Sequence, residues 1–184
     1  VAQARIESPL GPITLAATAR GLAGLWFDGQ KHHPGALDAP QDDTQAFIAM
    51  ARAELQRYWR GGKAAADGDV PLRFAVPLDA QGTPFQQAVW QALRDIPAGR
   101  TSTYAAVAAR AGAPAAVRAA GAAIGRNPLS IIVPCHRVLG RDGSLTGYAG
   151  GLQRKQALLR LEAAAPHASG ACRALALRGF GLGL

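Results

Sequence analysis

The stretch TSTYAAVAARAGAPAAVRAAGAAIG, residues 101–125, decides how the second half of this chain folds. Two runs rich in Ala are separated by Gly112, Ala113 and Pro114. Ala is the best helix former and Gly and Pro the worst, so the punctuation falls between two helices. The hydroxyls of the TST segment can cap the first helix, which is expected to stop at Gly112. The second covers residues 115–125. Two helices joined by a short turn containing Gly make the helix-turn-helix pattern, whose second helix is the one presented to DNA. Here it carries Arg118 and Arg126 and is otherwise built from Ala and Gly. Small residues let a backbone come close to a partner. They also suit tight helix–helix packing, and the two readings stand level.

Upstream, Thr83 and Pro84 form a helix opening, cap then first position. The helix "PFQQAVWQALRDI" is expected to end before Pro97. Before residue 83 the pattern changes. "ARIES" and "ITLAA" flank the turn "PLGP", and "LAGLWF" follows "ARG", which reads as short strands punctuated by Gly and Pro. In "DTQAFIAMARAELQRYW", Phe47, Ala51, Leu55 and Trp59 recur every four residues, one face of a helix. Asp43 or Thr44 is expected to cap it and Gly61-Gly62 to end it. "LRFAVPL" alternates Leu72, Phe74, Val76 and Leu78 as a strand would, with Pro77 marking an edge. The expected fold class is α+β. A small N-terminal α/β scaffold of strands plus one helix covers residues 1–82. A mostly helical domain covers 83–163, and a tail of unassigned role covers 164–184.

Composition narrows the function. An apolar share of 49% and a charged share of 17% over 184 residues describe an ordinary globular protein. No window approaches the ~18 apolar residues of a membrane span, and "VAQARIESPLG" lacks the apolar run of a signal peptide. The expectation is a cytoplasmic protein with no membrane partner. The two cysteines, Cys135 and Cys172, are too few for a disulfide framework. His32 and His33 have no cysteine near them, so no metal is expected. Charge is uneven: residues 1–82 hold 8 Lys/Arg against 9 Asp/Glu, and residues 83–184 hold 12 against 3. A half that basic suits a polyanion such as nucleic acid, although the 17 arginines and abundant Ala also fit a compositional bias.

The chemistry sits in "NPLSIIVPCHRVLG", residues 127–140. A lone Cys is most often a small buried hydrophobe, and Cys172 reads that way. Cys135 has His136 beside it, Arg137 and Arg141 close in sequence, and Pro134 breaking the β-rich run before it. An imidazole or a positive field raises the thiolate fraction of a thiol whose ordinary pKa is about 8.5. The pattern suits an activated nucleophile. In an extended strand His136 would point away from Cys135, so a turn or a bridging water is needed. A third group should orient the imidazole. Of Asp95, Asp142 and Glu162, the last is favoured; a helix-end salt bridge is its competing role.

"NPLSIIVPCHRVLGRDGSLTGYAGG" together with "TYAAVAARAGAPAAVRAAGAAIGRNP" resembles the O6-alkylguanine-DNA alkyltransferases, of the bacterial stand-alone type. The likeness runs from about Thr83 to Glu162. "SPLGPITLAA" matches the family's N-terminal domain more weakly, and that domain is ribonuclease-H-like. The resemblance implies direct-reversal DNA repair. Residues 83–163 become the DNA-binding and alkyl-transfer domain, and the helix-turn-helix enters the minor groove. The lesion is flipped out of the stack, because its O6 substituent is unreachable inside the duplex. Its alkyl group passes irreversibly to Cys135, once per molecule.

The same likeness implies residue roles. His136 is the base through water, Glu162 its orienter, and Asn127 the tie between recognition helix and active-site strand. Arg118 fills the vacated stack. Tyr104 rotates the nucleotide and donates to the leaving guanine. Val138, Gly147, Tyr148 and Gly150 line the guanine pocket, and Gln86, Arg137 and Arg141 belong to the DNA and substrate surface. The implied partner is duplex DNA carrying O6-alkylguanine, with O4-alkylthymine a further candidate lesion. No cofactor and a monomer are expected. Ala149 stands where some relatives carry Ser, and the tail outruns the family's usual end. Two competing functions remain at this point: a thiol hydrolase using Cys135 and His136, for which no oxyanion site is recognisable, and a DNA-binding module without chemistry, which would not need the cysteine.

Overall fold

The computed structural model describes residues 1–64 and 73–163. Cys172 and the tail from residue 164 lie outside them, as does Leu72. Strands β1 (Ala2–Ile6), β2 (Ile13–Ala17) and β3 (Leu22–Phe27) form an antiparallel sheet in that order. Alternation sets the register. Ala4 faces Leu15, Leu15 faces Leu25, Ile13 faces Phe27, and all of these side chains are buried. The turn before β2 needs Gly11, whose φ of +100° lies where other residues are strained.

Helix α1 (Ala46–Ala64) packs on this sheet. Its buried stripe is Ile48, Ala51, Leu55 and Tyr58, while Phe47 and Trp59 are only half-buried. The apolar face is therefore turned from the simple four-residue spacing, as a period of 3.6 requires. The cap differs from expectation too. Gln45 Oε1 accepts from the amides of Phe47 and Ile48 at 2.8 and 3.0 Å, whereas Asp42 turns back on Thr44 and Asp43 pairs with Arg52. The helix also continues through Gly61 and Gly62, whose propensity cost of about 1 kcal/mol each is not enough to stop it. The strand expected at 72–78 is absent from its described part. Residues 73–78 are irregular, with one bridge between Leu22 and Leu78. Ala75 and Val76 donate their amides to buried Glu54 instead of to a strand partner.

The second half holds helices α2 (Pro84–Arg94), α3 (Tyr104–Arg110), α4 (Val117–Gly125) and α5 (Leu152–Ala163). Thr83 and Gln86 close a capping box at α2: the Thr83 hydroxyl accepts from Gln86 N at 3.2 Å and Gln86 Oε1 accepts from Thr83 N at 2.9 Å. Thr103 caps α3 through the amide of Ala106. Helices α2, α3 and α4 pack against one another, and Trp90 Nε1 donates to the carbonyl of Ala123 across that seam. A short parallel pair, β4 (Ser102–Thr103) with β5 (Val138–Leu139), lays the segment after Cys135 beside the start of α3. After α4 the chain runs along β3. Leu25 N donates to Pro128 O and Ser130 N to Leu25 O, at 2.8 and 3.0 Å. The N-terminal sheet thus supports the segment that leads into Cys135. Among the described residues, no helix is long and apolar enough to cross a membrane.

Candidate active site and nucleic-acid face

The residues from Leu129 to Arg137 form overlapping turns rather than the β-rich run expected of "SIIVPCHRV". Val133 N bonds Leu129 O, Ile132 N bonds Ser130 O, and Cys135 N bonds Val133 O. Ile131 sits at φ +72°, a region that strains a β-branched residue. Cys135–Arg137 is a single 3-10 turn. This removes the difficulty of an extended strand, because Cys135 and His136 no longer point to opposite faces.

Asn127 holds these turns together. Its Oδ1 accepts from Leu129 N at 3.0 Å, and its Nδ2 donates to Val133 O at 2.8 Å and to Cys135 Sγ at 3.1 Å. The thiol is buried, and burial pushes its pKa up; the Asn127 hydrogen bond and the charge of Lys155 only partly oppose this. The resting sulfur is therefore more firmly protonated than the sequence pattern suggested.

His136 is fully buried, and its Nε2 lies 2.8 Å from Glu162 Oε1. Burial is the largest influence on the imidazole and pushes its pKa down, while Glu162 pulls it up. Burial alone would raise the Glu162 pKa. The pull of His136, through its charge when protonated and through its hydrogen bond, and the guanidinium of Arg137 instead hold it well below the usual carboxylate range. An ionised carboxylate accepts only, so Nε2 donates to it, and in the neutral form of the imidazole Nδ1 has no hydrogen. The other nitrogen, Nδ1, then holds a lone pair, and it is buried with no partner among the described residues.

Two further groups complete the cluster, and neither was found from sequence. Tyr58 of α1 donates its hydroxyl to Glu162 Oε1 at 2.8 Å. Lys155 of α5 is fully buried and donates Nζ to the carbonyls of Val138 and Thr146 at 2.6 Å each. Burial lowers its pKa to about 8, against the opposing effect of Cys135. Lys155 thereby fixes the loop of residues 144–148 against β5. The spacing of these partners gives no local sequence signal.

The remaining residues divide. Tyr148 sits edge-on to His136 with ring centroids 6.5 Å apart, and its hydroxyl is buried without a partner among the described residues. Gly150 leaves room for that ring: a Cβ there would fall 2.6 Å from Tyr148 Cε1. Tyr104 donates toward the carbonyls of Thr146 and Gly147 at 3.3 and 3.4 Å, which brings the start of α3 to the same loop. Val138 is buried beneath it, and Ala149 O accepts from Lys31 N. Arg141 is exposed on the turn that follows β5.

Two residues expected on the DNA surface are occupied elsewhere. Arg137 is a correction: its side chain is 6% exposed, and its Nε and Nη2 grip both oxygens of Glu162 at 2.9 and 2.8 Å. A guanidinium forks onto a carboxylate in this way wherever the two are buried together. Gln86 is half-buried, with its side-chain oxygen in the capping box of α2. Helix α4 buries Ala120, Ala123 and Ile124 and exposes Ala115, Arg118, Ala119, Ala122 and Arg126 around its start, outer face and end. Its small residues thus lie on both sides, packed inside and exposed outside.

Residues 84–164 match the family model described as 6-O-methylguanine DNA methyltransferase, DNA binding domain. The methylated-DNA–protein-cysteine methyltransferase of Haemophilus influenzae is 41% identical over 155 residues, 84% of this chain and 82% of that protein. The Mycobacterium tuberculosis protein of the same name is 45% identical over 157 residues, 85% of this chain and 89% of the relative. Among solved structures, Mycobacterium tuberculosis OGT in complex with DNA superposes with a TM-score of 0.77 at 43% identity, covering 90% of this chain and 96% of that one.

Proposed function

The chain belongs to the methylated-DNA–protein-cysteine methyltransferases, and from that premise we propose that it repairs O6-alkylguanine in duplex DNA by moving the alkyl group onto its own Cys135. The observation that carries this reading is the placement of His136. Its Nε2 lies 2.8 Å from Glu162 Oε1, and its Nδ1 is buried without a partner among the described residues, one residue from a buried thiol.

The thiol proton passes to Nδ1 through a bridging water as the sulfur attacks the alkyl carbon. A carbon–sulfur bond forms and the carbon–O6 bond breaks, its electron pair leaving with guanine. Tyr104 supplies a hydrogen bond to that leaving base. Burial pushes the thiol pKa up, so a base that takes the proton as the sulfur attacks favours the reaction. The thioether has no route back to a thiol, and each molecule acts once. Residues 1–82 serve as a ribonuclease-H-like scaffold, and residues 83–163 bind DNA and carry the chemistry. In this reading α3 and α4 are a helix-turn-helix. The exposed face of α4 enters the groove, and Arg118 fills the space left by the flipped nucleotide. Tyr148, Val138, Gly147 and Gly150 enclose the guanine.

Intact-mass measurement after incubation with a duplex bearing O6-methylguanine tests this. The expected result is one added methylene on Cys135 and then no further repair. Many lesions repaired per protein, or a label on another residue, overturns it.

A further inference from the structure

We infer that Tyr58, a residue of the N-terminal half, is a positioning residue for proton transfer: its hydroxyl bond to Glu162 sets how strongly that carboxylate acts on His136. This rests on the reading of His136 and Glu162 as a relay. Three donors meet at one oxygen. Glu162 Oε1 receives Tyr58 Oη, His136 Nε2 and Arg137 Nη2, each at 2.8 Å, while Oε2 receives Arg137 Nε at 2.9 Å. Tyr58 is 2% exposed and comes from α1, which packs against α5, the helix that carries Glu162. The contact joins residues 104 positions apart.

A carboxylate alone beside an imidazole favours the imidazolium. A relay base must be neutral before it can accept a proton, so too strong a carboxylate is a handicap. Each extra donor on Oε1 draws charge away from Nε2 and lowers the imidazole's basicity. Arg137 would do this whatever the scaffold did, because it lies in the same turn as His136. Tyr58 adds a donor that exists only when the N-terminal half is docked. Its own pKa is raised well above the ordinary value by burial and by Glu162, so it remains a hydroxyl donor throughout the working pH range. The charged and titratable groups facing this pair are His136, Arg137, Tyr148, Lys155 and Cys135. Arg137 and Lys155 disfavour the imidazolium, and the Tyr58 hydroxyl, bonded to Glu162, acts in the same direction without carrying a charge.

The test is the pH profile of transfer from free O6-benzylguanine, a probe that removes DNA binding from the rate. In Tyr58→Phe the ring stays and only the hydroxyl goes. The acid limb of the profile should move to higher pH by roughly half a unit to one unit, which is a threefold to tenfold slower rate at a fixed pH on that limb. Phe74→Leu disturbs the packing of the Tyr58 ring, whose centroid lies 5.6 Å from Phe74, without touching the hydroxyl. It should lower stability and leave the limb in place. An unmoved limb in Tyr58→Phe, a limb moved to lower pH, or the same movement in Phe74→Leu overturns the inference. The relay reading has a separate test: a His136→Ala protein with the wild-type rate and profile would remove the relay itself.

Discussion

Arg118 and Arg137 belong to the same basic half and come from one compositional signal, yet the fold uses them in opposite ways. Arg118 stands on the outer face of α4, exposed, and pairs with no carboxylate among the described residues. Arg137 is sealed inside with both of its forks on Glu162. The strongly positive second half is therefore not uniformly a DNA surface. Part of its charge neutralises the buried Glu162, and only the remainder faces outward. Net charge identifies a class of partner; it does not say which residue meets that partner.

The comparison breaks first at stability. Removing one member of a buried ion pair leaves an uncompensated charge and costs about 3–5 kcal/mol. Arg137→Leu strips Glu162 of two of its four hydrogen bonds. Urea denaturation should show a loss of that size, a large part of a typical stability of about 5–15 kcal/mol. Arg118→Ala should stay within about 0.5 kcal/mol of the parent, as surface changes do. An Arg137→Leu protein as stable as the parent would mean that the carboxylate finds other partners or is not charged.

Kinetics sharpen the contrast from the other side. If Arg118 props the duplex after the nucleotide leaves, its effect exists only where there is a stack to invade. Flipping a base costs a few kcal/mol, and about 1.4 kcal/mol left uncompensated is a tenfold loss of rate. Arg118→Ala should react about 10- to 100-fold more slowly with a duplex lesion and nearly normally with free O6-benzylguanine. A plain phosphate contact would instead give a smaller loss that shrinks as salt rises. Equal losses on both substrates would assign Arg118 to the fold or the pocket.

What could be read from the sequence was what is local. Helix ends at Thr83, Thr103 and Gly112 follow from caps and breakers acting over a few residues. Cys135 with His136 is a neighbouring pair, and the strands of the first half are runs of five or six residues punctuated by Gly and Pro. The burial of Arg137 was hidden because it depends on Glu162, 25 residues on, being inside as well. Tyr58 and Lys155 were hidden for the same reason: each meets the site through a contact that only the docked fold creates. The segment at 73–78 misled because alternation predicts a strand only where a partner strand is free to accept it. Here Glu54 of α1 takes two of its amides.

The smallest effect expected concerns Gln86, another residue that the family likeness put on the DNA surface. Its side-chain oxygen already accepts from Thr83 N, and its own amide donates to the Thr83 hydroxyl. Gln86→Ala keeps the second bond, which uses the backbone, and loses the first. The stranded Thr83 amide is exposed, so water replaces the lost acceptor, and the cost should fall near the low end of the range of about 0.5–2 kcal/mol for capping changes. A phosphate contact would behave otherwise. Its removal would leave stability alone and weaken duplex binding. Gln86 carries no charge and releases no counterion, so the slope should not move even if its amide nitrogen touches the backbone of DNA. The informative pair of measurements is thermal stability and duplex affinity at two salt concentrations. A lowered melting temperature with unchanged affinity assigns Gln86 to the helix cap. Unchanged stability with weakened binding at both salts returns it to the interface and leaves Arg137 as the single residue drawn inward from that surface.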